Sequence, residues 1–331
     1  METPSAYIPT DRRRALARGE TLPDRAQGSA LFADISGFTP LTEALARELG
    51  PQRGAEEISR HLNLVYDALI DELDRYSGSV TGFSGDAITC WFDDDSGLRA
   101  TACALAMQRA MGRFATVTLP SGACIALAMK AAVATGTVRR FLVGDPQVQL
   151  LDVLAGAILD HLAAAEHHAQ KGEVVLDPAA VASLGGAAQV AAWRDDDDAG
   201  QRFGVVGGLT RPVTPSPWPA LPSDALSDEQ VRPWLLPPIY ERLRSGQGEF
   251  LAELRPAVAL FLRFAGIDYD ADPQAHAKLD DFIRRVQHIL ARYDGTLLQL
   301  TIGDKGSYLY AAFGAPLAHE DDAVQIGRAH V

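Results

Sequence analysis

One order of elements occurs twice in this 331-residue chain, and any fold has to accommodate the repeat. Residues 30–33 form an apolar strand-like run ending at Asp34, and 53–76 carry Ile58, Leu62, Val65, Leu69 and Leu73 three or four apart, the spacing of an amphipathic helix. Residues 79–83 and 87–92 then flank Ser84-Gly85-Asp86 as a hairpin. Strand, helix and hairpin recur at 257–264, 279–293 and 297–313. Residues repeat with the pattern: Arg75-Tyr76-Ser77-Gly78 returns as Arg292-Tyr293-Asp294-Gly295, and Gly85-Asp86 as Gly303-Asp304. Internal duplication is the simplest account. The copies differ in one chemically decisive place, because Arg263 stands where the first copy has Asp34.

Between the copies the spacing predicts a helix over 98–114, a long strand over 125–138, a helix over 154–170 and a strand over 173–176, so strands and helices alternate as in an α/β (α+β) domain. Eight prolines from Pro212 to Pro238 then prevent regular structure, while Trp218, Trp234 and Leu235 give that stretch something to pack with, as an ordered strap. The expected division is an N-terminal tail (1–26), a first domain (27–208), a Pro-rich linker (209–254) and a shortened second copy (255–325). Residues 326–331 break the helical pattern begun at Ala323 and read as an artefactual tail.

A formal charge of -13 opposes binding to nucleic acid or to anionic membrane surfaces. No apolar run is long enough to cross a bilayer and the start lacks a signal-peptide core, so a cytoplasmic protein is expected. Cys90, Cys103 and Cys124 have neither disulfide nor zinc spacing and are expected as core thiols. The runs 93–95 and 195–198 are expected as solvated acidic turns.

A strand end and an adjacent hairpin tip can bring Asp34 and Asp86 to one sheet edge. Two such carboxylates suit Mg2+, which takes one or two from protein and completes its octahedron with phosphates and water. The loop Ile35-Ser36-Gly37-Phe38-Thr39 adds backbone N–H groups ahead of a helix N-terminus, with Gly37 and Gly85 permitting close approach, and so suits a triphosphate. Taken singly, Asp34 reads more simply as a helix cap and Asp86 as a turn residue.

Residues 33–39 (Ala-Asp-Ile-Ser-Gly-Phe-Thr) and 83–87 (Phe-Ser-Gly-Asp-Ala) together resemble the two metal motifs of the class III adenylyl and guanylyl cyclases, and the tandem arrangement is most similar to the bicarbonate-responsive soluble adenylyl cyclases. The resemblance implies ferredoxin-like βαββαβ domains paired as a pseudo-heterodimer. It also implies ATP as substrate and two Mg2+ (or Mn2+) ions held by Asp34, Asp86 and the Ile35 carbonyl, with cyclic AMP and pyrophosphate as products. A C-terminal ATPase or signalling domain in a longer protein would fit the same likeness.

Departures from the family pattern bear on activity. The Asn and Arg that steady the ribose and the transition state would lie on a helix beyond Phe313, and the matching helix of the first copy has Asp160 and Ala164 at those places. The chain alone is therefore expected to be nearly inactive. The base-selecting position falls near Gln299 or Leu300, and the bicarbonate-site Lys and Arg align with Gly82 and His161. A catalytically silent nucleotide-binding module is the alternative from another class, followed by a guanylyl cyclase.

Overall fold

The computed structural model describes residues 4–196, 200–222, 224–246, 257–303 and 306–316. They divide into two units. The first comprises Arg25–Val138 and Ile158–Ala220, and the second comprises Arg139–Ala157 with the described parts of Met1–Asp24 and Leu221–Val331.

The first unit opens with β1 (Arg25–Ser36), α2 (Phe38–Leu49), α3 (Pro51–Arg75), β2 (Ser79–Ser84), β3 (Ala87–Asp93) and α4 (Leu98–Met111). It continues with a small hairpin, β4 (Thr116–Thr118) and β5 (Cys124–Ala126), then β6 (Ala128–Val143), whose residues from Arg139 belong to the second unit. After α5 (Ala157–His167) come β8 (Val174–Leu176), α6 (Pro178–Leu184), β9 (Ala188–Asp196) and β10 (Gln201–Leu209). The sheet order is β2-β3-β1-β6-β8-β10-β9, which contains the expected ferredoxin-like βαββαβ arrangement. β6 and β8 pair in parallel, with Ala131 opposite Val174.

Local chemistry explains the helices that frame the site. Gly50 at φ 82° ends α2, and Pro51 starts α3 at a position where its missing N–H costs nothing. The α3 stripe Val65, Leu69 and Leu73 meets Cys103 and Met107 of α4, and both pack on Leu31, Ile88, Phe92 and Val133 of the sheet. Each such buried aliphatic side chain contributes about 1.5–3 kcal/mol relative to exposure.

The second unit holds α1 (Thr10–Ala17), the end of β6, β7 (Leu151–Ala155), α7 (Asp228–Val231), α8 (Pro237–Arg244), β11 (Val258–Phe264), α9 (Ala275–Arg292), β12 (Gly295–Gly303) and β13 (Gly306–Phe313). The strand order β11-β13-β12 repeats the β1-β3-β2 order of the first unit. Leu279, Ile283 and Leu290 of α9 pack with Leu309 and Phe313, and with Phe141 and Val153 of the β6–β7 pair.

Several expectations are corrected. The opening residues, expected as a tail or short helix before the first domain, form the helix α1 of the second unit: Arg140 binds both Asp11 and Asp152, and Arg12 reaches Asp152 at 2.9 Å, so α1 is tied in by buried charges. Leu154 and Ala155, expected in a helix, lie in β7, where short apolar runs read ambiguously. Asp95 is buried and accepts hydrogen bonds from the Gly97, Arg99 and Ala100 N–H groups at the start of α4, while Asp195 and Asp196 lie in β9. Cys90 and Cys103 are buried, but Cys124 is exposed on the small hairpin. The Pro-rich stretch is ordered where described, with the Trp218 indole donating to the Gly78 carbonyl at 2.8 Å and Trp234 and Leu235 in a small apolar cluster with Ile8 and Tyr240, but it is not free of regular structure, since α7 and α8 lie in it and Pro237 starts α8 where its missing N–H costs nothing. Asp304, Lys305 and residues 317–331, including the expected 326–331 tail, lie outside the described residues.

Candidate active site

Asp34 lies near the end of β1, and its cross-strand partner on β3 is Ala87, the residue directly after Asp86. The Ile35 N–H donates to the Asp86 carbonyl at 3.1 Å, which fastens the β2–β3 turn to the end of β1. Gly85 makes that turn at φ 63°. The structure thus brings the two aspartates to neighbouring positions on one edge of the sheet. Asp86 is among the charges that raise the Asp34 pKa.

Burial is the larger cause of that rise, and the Lys130 ammonium opposes it. Lys130, on β6, stands 3.5 Å from Asp34 Oδ2 and also donates to Glu166 of α5. Burial works against the Lys130 charge, yet Glu166 and Asp34 together hold its pKa above the ordinary value. On the other side the Tyr66 hydroxyl of α3 donates to the Gly85 carbonyl at 3.0 Å, and its ring meets Phe83 edge-on at 5.3 Å. Burial, followed by Asp86 and Asp34, pushes the Tyr66 phenol up to about 12, so it remains a donor. Lys130, Glu166 and Tyr66 were not singled out from the sequence. Lys130 did leave a signal, as a lone cation between Met129 and Ala131 in an apolar strand.

The loop between strand and helix is shorter than expected. Ser36 is the last residue of β1, and Phe38 and Thr39 already belong to α2. Gly37 is the N-cap, at φ 109° and without a side-chain cap, and a Cβ there would stand 2.4 Å from the Ala126 carbonyl oxygen. Only glycine fits, and the first N–H groups of α2 lack a side-chain acceptor, which is the arrangement that suits an anion. The Phe38 and Ile35 side chains are buried in the core, so these two residues could serve a ligand only through their backbone.

Among the described residues no three His, Cys, Asp or Glu side chains form a ready metal cage. An aspartate pair with nearby carbonyl oxygen still fits Mg2+ or Mn2+, whose remaining ligands are phosphate and water. Other expected positions are placed as follows: Gln299 on β12 donates to Thr301 Oγ1 at 3.1 Å, Gly82 lies on β2, and His161 of α5 stands 3.7 Å from the buried Asp177 carboxylate.

No family model matches the chain. It is 22% identical over 325 residues to adenylate cyclase type 10 of Homo sapiens, an alignment covering 88% of this chain and 20% of that protein. It is 27% identical over 157 residues to the Rattus norvegicus protein of the same name, covering 46% of this chain and 9% of the relative. The likeness to proteins of that name extends over most of the chain. It spans about a fifth or less of the length of these curated relatives. Among solved structures, the chain is similar to the guanylyl cyclase Cya2 (22% identity, TM-score 0.48, 59% of this chain and 98% of that one) and to the adenylyl cyclase CyaB of P. aeruginosa (20%, 0.45, 57% and 97%). No helix among the described residues is long and apolar enough to cross a membrane.

Proposed function

We propose that this chain is part of a nucleotidyl cyclase that converts ATP into 3',5'-cyclic AMP and pyrophosphate in intracellular signalling. The observation that carries the reading is the Asp34–Asp86 edge, joined by the hydrogen bond from the Ile35 N–H to the Asp86 carbonyl. Asp34, Asp86 and the Ile35 carbonyl would hold two Mg2+ or Mn2+ ions, which when bound would neutralise triphosphate charge and acidify the ribose 3'-hydroxyl. The Asp34 and Asp86 carboxylates fix where those charges gather. The uncapped N-terminus of α2 offers N–H donors to phosphate oxygens, and Gly37 leaves room for them to approach. Tyr66 holds the Gly85 carbonyl and with it the shape of the turn. Adenine as the base is supported by the name of the curated relatives, adenylate cyclase. A second cyclase domain would complete the site as a pseudo-heterodimer, and a cytoplasmic setting and a further ATPase or signalling domain belong to the same proposal.

The test is a form carrying a complete second cyclase domain, assayed for cyclic AMP with ATP and Mn2+. Asp34→Ala is expected to lower turnover about 100- to 1000-fold, the scale of losing a preorganised charge partner. Unchanged product in that variant would end the reading. Cyclic GMP formed from GTP in preference would move the substrate to guanine, and ATP binding without any cyclic product would favour a silent nucleotide-binding module.

A further inference from the structure

A hollow of about 410 Å³ lies between the C-terminal ends of α3 and α4, lined by Glu72, Arg75 and Tyr76 from one side and by Ala106, Arg109, Ala110 and Arg113 from the other. Three guanidinium groups converge there in a chain whose formal charge is -13. The imbalance makes unpaired arginines notable, since acidic side chains outnumber basic ones by 43 to 30. Arg75 is committed to Glu72, through Nη1 at 2.9 and 3.1 Å from the two carboxylate oxygens. Among the described residues no carboxylate pairs with Arg109 or Arg113. Arg113 Nε makes a long bond of 3.4 Å to the Ala110 carbonyl and its guanidinium leans over the Phe114 ring, which leaves its terminal nitrogens for another acceptor.

Arginines at helix C-termini usefully complement the negative end of the helix. That account needs one cation at each end, and it does not explain why Arg109 near the end of α4 and Arg113 on the single 3-10 turn that follows it (Gly112–Phe114) line the same hollow as Arg75. With Glu72 paired to Arg75, the Arg109 and Arg113 guanidinium groups are left without a carboxylate partner among the described residues around the hollow. Planar guanidinium forks are the groups best matched to phosphate oxygens. The volume falls within the roughly 300–1,000 Å³ of small-molecule sites and exceeds what one phosphate fills, while Ala106, Ala110 and the Tyr76 ring supply apolar wall.

We infer that this hollow binds an organic phosphate monoester, its phosphate held by Arg109 and Arg113 with Arg75 beside them and its organic part against the Ala106, Ala110 and Tyr76 surface. The site is separate from the Asp34–Asp86 edge and its existence does not depend on the chemistry proposed there.

The test is isothermal titration calorimetry of the full chain carrying Asp34→Asn, which removes the metal edge as a competing nucleotide site. AMP, inorganic phosphate and adenosine are titrated separately. AMP is expected to bind, phosphate more weakly and adenosine not at all, and AMP binding should weaken as NaCl is raised. Arg109→Gln with Arg113→Gln is expected to weaken AMP at least about tenfold through the loss of two charge-assisted contacts. Arg113→Gln alone, at an exposed position, gives an intermediate loss, and unchanged melting temperatures show that the variants fold. Absence of AMP binding, or binding unaltered in the folded double variant, overturns the inference, and phosphate binding as tight as AMP overturns its organic part.

Discussion

In both repeats the long helix ends on an Arg-Tyr pair followed by a residue in the left-handed region, Ser77 at φ 54° and Asp294 at φ 55°. Next comes a glycine under a phenylalanine ring: a Cβ on Gly78 would lie 2.7 Å from Phe92, and one on Gly295 would lie 2.7 Å from Phe313. The register irregularity recurs as well, between Val80 and Gly82 in one and between Leu297 and Gln299 in the other. From this shared base the hairpins diverge. Phe92 pairs with Ser29 and Phe313 with Val258, and five residues further along the first strand lie Asp34 and Arg263. Opposite Asp34 is Ala87, where the first hairpin turns, whereas opposite Arg263 is Tyr308, from which the second hairpin runs on to the pair Gly303 and Gly306. The second tip therefore stands two residues per strand further out, about 7 Å at the rise of a β-strand. Gly85 lies in the first turn, whereas Gly303 is still paired, with Gly306. The two hairpins share a base, and the first places the Asp34 carboxylate beside a tight turn that carries Asp86.

The comparison can be broken first through stability. The second unit's βαββ sheet has three strands, and its α1 is tied in by Asp11, Arg12, Arg140 and Asp152, with the Arg12 and Asp152 side chains 6% and 3% exposed. Asp152→Ala would take the carboxylate from the buried Arg12 guanidinium and leave Arg140 with Asp11 alone, and is expected to cost about 3–5 kcal/mol, lowering a calorimetric transition of the second unit more than one of the first. Burial alone would raise the Asp152 pKa, but Arg140 and Arg12 more than reverse it. Its ionised pair therefore contributes fully above the ordinary 3.8 and is lost as pH falls through the depressed value, so an acid melt should release α1 only below about pH 3.8. Release of α1 at pH 5, read by hydrogen exchange, would contradict this.

A second contrast is chemical. Asp34→Asn should weaken Mn2+ binding by at least about tenfold, while Arg263→Gln should leave it within about twofold, both read by electron paramagnetic resonance. Equal losses would remove the asymmetry between the copies. A third expectation sharpens the likeness instead: Gly78→Ala and Gly295→Ala should each destabilise by about 1–3 kcal/mol in thermal melts, because each Cβ meets the same ring edge. The smallest effect concerns the strap. Trp218→Phe removes the donor to Gly78 and should cost about 1 kcal/mol by denaturant titration.

Much of this was legible beforehand where periodicity is strong. The spacing of Val65, Leu69 and Leu73 marked α3, and Leu279 and Ile283 marked α9, because a buried helical stripe needs side chains three and four apart. The aspartate pair was legible from glycines beside acidic residues. Lys130 and Glu166 were not, since they reach Asp34 from β6 and α5 across tertiary contacts that have no fixed sequence spacing. The buried role of Asp95 was hidden for a similar reason: an acidic run reads as solvated until a helix start is seen to use its carboxylate.

Local spacing and turn chemistry set the repeated order of elements, the alternation of strands and helices and the acidic turn at Gly85-Asp86. That 139–157 and the first residues join the second unit, that the pairing of one hairpin outruns that of the other, and that three arginines share one hollow came from tertiary packing. Those outcomes depend on which strands pair and which charges are buried together, and a chain's order constrains such long-range choices without fixing them.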